Sequence, residues 1–350
     1  MPCPSGKTTF KWKFDWMRLE NILALTKGTL LGEPSVSIFD SVVFEPSKVK
    51  RGSFFISQTP DDISEALQNG AYGIMFDKPT QITDSEVAWI KVDNIDNALK
   101  KLLRFYLLEK ELQVYACDPI TLHLSSMIST PPTFCNIEGT MRTIWEKLWM
   151  LEKKSIVLFS PALTDSDIFI EHSQLIRAQE NTITIIEQTL FETSFIHNDT
   201  FYERQMLSPF FIPYLEHLLF FYTFLRIPFQ IKGFGKMGHF IPVFTNSRLE
   251  IKEFGSSDRV VIFEPLLELI DEQIDFLDAQ AAWAKIVYLL PDSMRSSLTS
   301  GIENIYFYRY PEEVLSILQS KIFHFALVAG VDKGILNPSR SSMKQLELDF

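Results

Sequence analysis

Two short segments of this chain are built from the residue types that bind phosphate groups. Gly6-Lys7-Thr8-Thr9 has the letters that end a Walker A loop, but no strand precedes it and the first glycine of the motif would fall on a methionine. Residues 233–238 match the GxGxxG pattern of dinucleotide-binding loops, yet they lead into Phe240-Ile241-Pro242 instead of a helix. We therefore expect no phosphate site in the first segment and a flexible connector in the second.

Residue types that bind metals or transfer protons are scattered along the chain. The histidines show no HxH or HExxH spacing, and Glu216 and His217, adjacent on a helix, would point about 100° apart, which is poor geometry for a shared metal. Asp165 and Asp167 are a candidate carboxylate pair, although acidic loop residues usually face water. No GxSxG nucleophile elbow occurs. We predict no metal site and no catalytic residue, and a structural role for each histidine, which are His123, His172, His197, His217, His239 and His324.

The elements that must position any site alternate between strands and helices. Helices are predicted at 19–26 (ended by Gly28), from Asp62 to Gly70, from Asp96 to Leu107, and at 120–128, 140–151, 215–225, 266–278 and 311–320. Strands are predicted within 36–44, at the end of 48–57, and at 71–76, 87–92, 114–117, 155–159, 182–186, 259–263, 285–290 and 323–328. This alternation favours an α/β protein whose sheets are largely parallel.

Bulk composition narrows the class of protein. A length of 350 residues predicts two or three domains, and 46% apolar with 22% charged residues is typical of a soluble globular protein. The formal net charge of −11 argues against a nucleic-acid-binding protein, which would carry clustered Lys and Arg. The cysteines Cys3, Cys117 and Cys135 are too few and too scattered for a disulfide framework, so we expect small apolar fillers in a reducing cytoplasm.

The sequence shows no pattern of a signal peptide or a membrane span. The first sixteen residues lack an apolar core. The most apolar segment, 209–229, is interrupted by Glu216, His217 and Arg226 and falls short of the ~18 uninterrupted apolar residues that suggest a span. We expect a buried helix there, and a cytoplasmic protein with no transmembrane segment.

Residues 44–107 resemble the entry domain of the Mur ligases, a family of ATP-dependent amide-forming ligases of bacterial cell-wall synthesis. Residues 48–57 are similar to the family's basic turn and the strand after it, and 65–71 are similar to its helix and Gly-Ala pair. Within the family, the resemblance is closest to the branch that adds D-Ala-D-Ala to a UDP-muramoyl tripeptide.

Shorter similarities follow in the same order along the chain. Residues 136–140 resemble the Asn-rich loop after the family's nucleotide site, 247–250 resemble the Gly-Arg-x-Glu that opens its C-terminal domain, and 327–334 resemble its terminal strand and Lys-Gly loop. The resemblance implies a three-part α/β architecture with mainly parallel sheets and a shortened central domain. The implied parts are an entry domain of the type that binds a UDP precursor (1–110), a central domain of degenerate P-loop type (111–245), a Rossmann-like C-terminal domain (246–336) and a flexible tail (337–350).

The resemblance also implies where a UDP-linked precursor would bind. The family's Asp-Ser-Arg, whose side chains contact the UDP part of the substrate, is replaced by Glu45-Pro46-Ser47, so the bidentate arginine partner of a pyrophosphate is lost. Lys48, Lys50 or Arg51 are candidate replacements, and the alternative interpretation is a solvated basic turn. The implied substrate-binding residues are Ser47, Lys48, Gly52, Ser57 and Arg248.

A second departure from the family concerns the nucleotide site. The phosphate loop should lie within 111–128, yet no glycine or lysine occurs from Leu112 to Ile128. Such a loop needs glycines for close backbone approach, a lysine for charge and a hydroxyl for magnesium. The strand-end glutamate that helps to hold magnesium in the family is replaced by Ser160-Pro161, and no carbamylated lysine can be placed. We therefore expect a family member that uses neither ATP nor magnesium as a cofactor.

Three functions remain open from the sequence. The preferred hypothesis is a catalytically degenerate Mur-ligase-like protein of the bacterial cytoplasm that binds a UDP-linked cell-wall precursor or another Mur-pathway protein. The second is an active ligase, dependent on ATP and Mg, that joins D-alanyl-D-alanine to UDP-muramoyl-tripeptide through an unconventional nucleotide pocket around residues 117–124. The third is a structural interaction module whose apolar 209–225 helix supports a subunit interface.

Overall fold

The computed structural model describes residues 17–176, 182–235, 237–296 and 303–337. The chain divides into two compact units. Unit 1 comprises Met1–Pro119 and Pro132–Gln174, and unit 2 comprises Ile120–Pro131 and Leu175–Phe350. The segment at 6–9, Cys3 and the tail from residue 338 lie outside the described residues. The predicted domain boundaries stay predictions.

The first sheet of unit 1 has five strands, which are β1 (Thr29–Leu31), β2 (Ser41–Val43), β3 (Ser53–Ile56), β4 (Gly73–Phe76) and β5 (Ala88–Lys91). Their order is β1-β5-β4-β3-β2, with β1 antiparallel to β5 and the other neighbours parallel. Every residue of β3 and β4 is buried, which is typical of parallel strands covered on both faces.

Three helices accompany this sheet, α1 (Leu19–Thr26), α2 (Asp62–Gln68) and α3 (Ile95–Leu108). Two predicted ends are wrong in detail. The left-handed residue that ends α1 is Lys27, with φ of 57°, and Gly28 is needed for space because a Cβ there would lie 2.6 Å from Ile90. Helix α3 begins before Asp96, since Asn94 caps it by accepting a hydrogen bond from the Asn97 amide at 2.8 Å.

The second sheet of unit 1, here the central sheet, has four strands, which are β6 (Gln113–Ala116), β7 (Phe134–Ile137), β8 (Ile156–Phe159) and β9 (Ser173–Gln174). All neighbours in the order β7-β8-β6-β9 are parallel. Helix α5 (Met141–Met150) links β7 to β8, and its cap is the Thr140 hydroxyl. One apolar cluster includes residues of α3, α5 and both sheets, and the rings of Tyr106 and Trp149 stack within it at 4.3 Å. The two sheets of unit 1 therefore share a core.

Unit 2 contains helix α4 (Pro119–Met127) apart from its first residue, a three-stranded antiparallel sheet and helix α6 (Ile212–Phe224). The three strands are β10 (Ile183–Gln188), β11 (Thr193–His197) and β12 (Thr200–Gln205). Helix α6 is the expected buried helix, with residues such as Leu215 and Phe221 wholly buried. The Ser125 hydroxyl of α4 lies 2.6 Å from the Tyr222 hydroxyl of α6.

The rest of unit 2 is built around a mainly parallel sheet, here the C-terminal sheet. Its strands are β13 (Ile241–Thr245), β14 (Arg259–Glu264), β15 (Ile286–Pro291), β16 (Ile305–Tyr308) and β17 (Phe325–Ala329). The order is β13-β14-β17-β15-β16, and only β13 pairs antiparallel. Helices α7 (Ile270–Gln280) and α8 (Glu313–Ser320) are the crossover connections.

The α/β fold class with mainly parallel sheets is confirmed. The predicted helices are found with ends shifted by a few residues, whereas strands β1, β7, β9, β11, β12, β13 and β16 were not predicted. In the part of the chain that the structure describes, no helix has the length and apolar character needed to cross a membrane.

Candidate functional site

The predicted substrate residues at the start of the basic turn lie on the surface of unit 1. Ser47 and Lys48 belong to a short 3-10 turn, Pro46–Lys48, and both are exposed. The Lys48 ammonium lies 2.7 Å from a carboxylate oxygen of Glu45. Lys48 is thus already paired with the glutamate three residues before it.

Glu45 is the centre of a small ion cluster that sequence reasoning missed. Its carboxylate also accepts a hydrogen bond from Arg142, whose Nε lies 3.1 Å from Glu146. The hydrogen bond from Lys48, together with the Arg142 contact, holds the pKa of the Glu45 carboxyl below its usual range. Two cations and two carboxylates give the cluster no net charge. Only its Glu45–Lys48 and Arg142–Glu146 spacings are visible locally, because Glu45 and Arg142 are 97 residues apart.

Gly52 and Ser57 have structural explanations that do not involve a ligand. Gly52 adopts φ of 92°, and a Cβ there would lie 2.2 Å from a carboxylate oxygen of Asp40. Only glycine combines that backbone conformation with that approach. The buried Ser57 hydroxyl donates to the Thr59 carbonyl at 2.8 Å. Both residues therefore shape the chain around β3.

The other two cations of the basic turn, Lys50 and Arg51, are not paired with a carboxylate among the described residues as Lys48 is. Arg51 donates from Nε to the Tyr72 hydroxyl at 2.7 Å, in an exposed position. Lys50 is exposed, and its ammonium forms no ion pair with any residue that the structure describes. Arg248 lies in unit 2, also exposed, with its backbone amide donating to the Asn246 side chain at 3.0 Å. Of the predicted residues, Ser47, Lys48, Gly52 and Ser57 thus share unit 1 and Arg248 does not.

The connection between β6 and α4 has the expected strand-turn-helix form, but it is only two residues long, Cys117 and Asp118. The Cys117 amide donates to the Phe159 carbonyl at 2.9 Å, and Pro119, which begins the helix, has no amide hydrogen. Burial raises the pKa of the Cys117 thiol. Cys117 is therefore a buried, protonated residue of this connection, as expected for a small apolar filler.

The end of β8 holds a buried hydroxyl, that of Ser160. Ser160 is wholly buried, and its Oγ has no hydrogen-bond partner among the described residues. The nearby Asp165 is exposed and pairs with Lys100 at 2.5 Å, and this hydrogen bond lowers the pKa of the Asp165 carboxyl. Asp165 also accepts from the Asp167 amide at 2.9 Å. The candidate carboxylate pair is thus a capped turn with one member bound to a lysine.

A buried carboxylate at the end of β14 was also missed. Glu264 is 0% exposed and forms four hydrogen bonds: with His239 Nδ1 at 2.7 Å, with the Phe240 and Leu266 amides at 2.9 and 2.8 Å, and with the Gln273 side chain at 2.5 Å. Three of these partners, the Phe240 and Leu266 amides and the Gln273 side-chain nitrogen, can only donate, so the carboxylate accepts from each of them. A glutamate closing a run of apolar strand residues, 260–263, was the available sequence signal.

The other histidines and carboxylates do not assemble into a cluster. Within the described ranges, no group of three or more His, Cys, Asp or Glu residues is placed to hold a metal ion. Glu216 accepts from the Thr182 and Ile183 amides at 3.0 and 2.9 Å, which ties α6 to the start of β10. Residues 237–240 lead into strand β13 and not into a helix, and the flexible connector stays a prediction.

Solved structures of Mur ligases are similar to this chain. A MurF from Acinetobacter baumannii is 11% identical, with 93% of this chain and 98% of that chain covered and a TM-score of 0.50. The MurF ligase from Thermotoga maritima in complex with ADP is 12% identical, with 87% and 97% covered and a TM-score of 0.49. No family model matches the sequence, and no curated protein matches it. At this identity the similarity to the Acinetobacter structure shows the fold alone, which is a Mur-ligase-like arrangement of several mostly parallel sheets.

Proposed function

We propose that this chain is an ATP-independent binding protein of the Mur-ligase fold whose ligand is a UDP-linked cell-wall precursor. The observation that carries the first half of this proposal is the two-residue connection between β6 and α4. The second half rests on the resemblance of residues 44–107 to the Mur ligase entry domain and on the exposed cations of the basic turn.

A triphosphate needs a loop that surrounds it with backbone amides, and the GxxxxGK[ST] motif supplies such a loop between a strand and a helix. Here the two-residue connection has one amide bound to the Phe159 carbonyl and is followed by a proline. No lysine occurs in 112–128 to bind a phosphate.

The magnesium side of the site is replaced as well. Phosphoryl transfer depends on metal and cationic stabilisation of the transferred group. Ser160 offers a buried neutral hydroxyl at the strand end, and Asp165 is bound by Lys100. The carboxylates that would hold the metal are thus absent from the strand end or engaged by a lysine.

For the precursor, the charges of the basic turn point to two residues. Lys48 and Arg142 are neutralised by Glu45 and Glu146. Lys50 and Arg51 remain as exposed cations beside strand β3, and a pyrophosphate is the part of a UDP-linked precursor that they suit. We assign them the role that the missing family arginine would have had.

The test is a thermal-shift titration of the full chain with UDP-muramoyl-tripeptide, UDP and Mg-ATP. A ligand that binds only the folded state raises the melting temperature, so we expect a rise with the UDP-muramoyl-tripeptide and none with Mg-ATP. Lys50→Glu with Arg51→Glu should weaken precursor binding about tenfold, roughly the loss of two modest charge contacts. The matched control is Lys101→Glu, an exposed lysine of the same unit on α3.

Two outcomes would reverse the proposal. A rise with Mg-ATP, or ATP hydrolysis when UDP-muramoyl-tripeptide and D-Ala-D-Ala are supplied together, would favour the active ligase. No response to any UDP compound would favour the structural interaction module.

A further inference from the structure

Unit 2 contains a cavity of about 550 Å³ beside strand β13, in a region that the proposed function does not use. Its lining includes residues of β13, of the segment before this strand and of 251–254, with others from 191–211 and 333–337. Six phenylalanines line it, and these are Phe191, Phe211, Phe234, Phe240, Phe244 and Phe254. The volume lies within the roughly 300–1,000 Å³ that is usual for small-molecule sites.

The aromatic wall is packed and therefore largely preformed. The Phe191 ring lies 6.0 Å from the rings of both Phe240 and Phe244, and Phe244 lies 4.8 Å from Phe254. Phe211 and Phe240 are buried to within 2% of their surface, whereas Phe254 is 45% exposed. The lining thus runs from a buried interior to an open mouth, as a site for a molecule with an apolar body requires.

Polar groups enter the cavity at few points. His239 lines it, and Glu264 holds Nδ1 of the ring at 2.7 Å. Because Nδ1 is held by the Glu264 carboxylate, Nε2 is the ring nitrogen that an occupant can use. The three other donors to Glu264 fix the carboxylate, so the orientation of the imidazole is fixed as well.

Two lysines give the mouth a positive charge. Lys333 lines the cavity, is exposed and forms no ion pair with any described residue. Lys252 has only a long contact, 3.7 Å, with the exposed Glu250. Glu264 is saturated by its own donors and has no exposed surface. In a chain with a net charge of −11, a cavity with two weakly paired lysines favours an anion.

We propose that this cavity binds a small lipophilic anion, with an aromatic or acyl body against the phenylalanines and an acidic group beside Lys252, Lys333 and His239. Burial of the apolar body supplies most of the affinity. The lysines select the charged compound over its neutral counterpart.

The experiment uses two dyes with a shared aromatic body, the anion anilinonaphthalene sulfonate and the neutral N-phenylnaphthylamine. Fluorescence titration of the full chain should show saturable binding of the anion, at an affinity about tenfold above that of the neutral dye. Decanoate should displace the anionic dye, and decanol should displace it poorly.

Two sets of variants locate the binding. Gly235→Trp should abolish it by filling the cavity, since Gly235 lines the cavity and a Cβ there meets nothing within 4 Å. The matched control is Gly238→Trp, because Gly238 is equally open and is not part of the lining. Lys252→Glu with Lys333→Glu should weaken the anion about fivefold to tenfold and leave the neutral dye unchanged. Lys153→Glu, an exposed lysine of unit 1, should change neither.

Equal binding of the two dyes, or an anion affinity that ignores both lysines, would overturn the anion assignment. Anionic dye binding that survives Gly235→Trp, or that Gly238→Trp reduces equally, would overturn the cavity as the site. Binding of UDP-muramoyl-tripeptide rests on Lys50 and Arg51 and should be unaffected by Gly235→Trp, so the two proposals fail separately.

Discussion

The carboxyl ends of the parallel strands are used differently in the central sheet and the C-terminal sheet. At the central sheet, the Phe159 carbonyl takes the Cys117 amide at 2.9 Å, and the chain turns into α4 after two residues. At the C-terminal sheet, Glu264 ends β14 and binds the irregular chain at His239 and Phe240. The first edge is closed by backbone, and the second supports a segment that borders a cavity of about 550 Å³.

Open α/β sheets bind ligands outside the carboxyl ends of their strands, and the two edges show what this rule requires in addition. The short strand-to-helix turn uses the Cys117 amide internally and has only two residues with which to surround a ligand. A longer segment, fixed by one saturated buried carboxylate, keeps its side chains available. Shared topology therefore does not imply a shared site.

The largest expected effect comes from removing the Glu264 carboxylate at the carboxyl end of β14. Glu264→Ala should destabilise the protein by about 3–5 kcal/mol, because four buried or half-buried hydrogen-bonding partners lose the carboxylate at once. Urea denaturation followed by fluorescence measures the change. Glu268→Ala, an exposed glutamate nearby in sequence, is the control and should change stability by less than about 0.5 kcal/mol. A small effect of Glu264→Ala would show that the segment is held by other contacts.

Alkaline pH should lower the free energy of unfolding, because Tyr308 of the C-terminal sheet ionises. Burial raises the pKa of Tyr308 to about 12, and its hydroxyl donates to the Ala329 carbonyl. A raised pKa means that this stabilisation is complete below pH 10, the usual value, and is lost as pH rises from 10 to 12. Tyr308→Phe should therefore lose less stability over this range than the parent chain, measured as urea midpoints. Tyr310→Phe, at an exposed position, should behave like the parent.

Removal of the Ser160 hydroxyl at the end of β8 should not destabilise the protein and should slightly stabilise it. Ser160→Ala should raise the free energy of unfolding by about 1 kcal/mol, because a buried hydroxyl without a partner is removed. Ser125→Ala should instead destabilise by about 1 kcal/mol, since that buried hydroxyl is hydrogen-bonded to Tyr222. Destabilisation by Ser160→Ala would mean that this hydroxyl has a partner, and the edge would need to be reconsidered as a site.

Local patterns predicted the elements whose signals are local. Strand β3 follows from a buried apolar run after a glycine turn, and helix α3 follows from apolar residues such as Leu99 and Leu103 on one face. In the antiparallel β10–β12 sheet only β10 was predicted, and β12 was missed because its burial shows no alternation between its two faces. The cap of α3 was misplaced by two residues, since Asn94 and Asp96 are both good capping types.

The partners of the candidate site residues were also harder to predict than the helices and strands, because several of them are distant in sequence. The basic turn at Lys50 and Arg51 was visible in sequence, but the neutralisation of Lys48 depends on its neighbour Glu45, which also binds Arg142. His239 was expected to be structural, and its partner Glu264 lies 25 residues further along the chain. Pairings at such separations are set by packing, which a single sequence does not report.

Helix α4 has a consequence for how the protein is made. The segment Ile120–Pro131 belongs to unit 2 although unit 1 flanks it on both sides in sequence. The Ser125 hydroxyl is hydrogen-bonded to the Tyr222 hydroxyl, 97 residues later in the chain, and Ser129 forms an isolated β-bridge with Gln230. On the ribosome, where synthesis and folding proceed together from the N-terminus, this helix emerges long before its partners exist. Nascent chains that stop between residues 175 and 215 would therefore expose an apolar helix, without its packing partners, to chaperones.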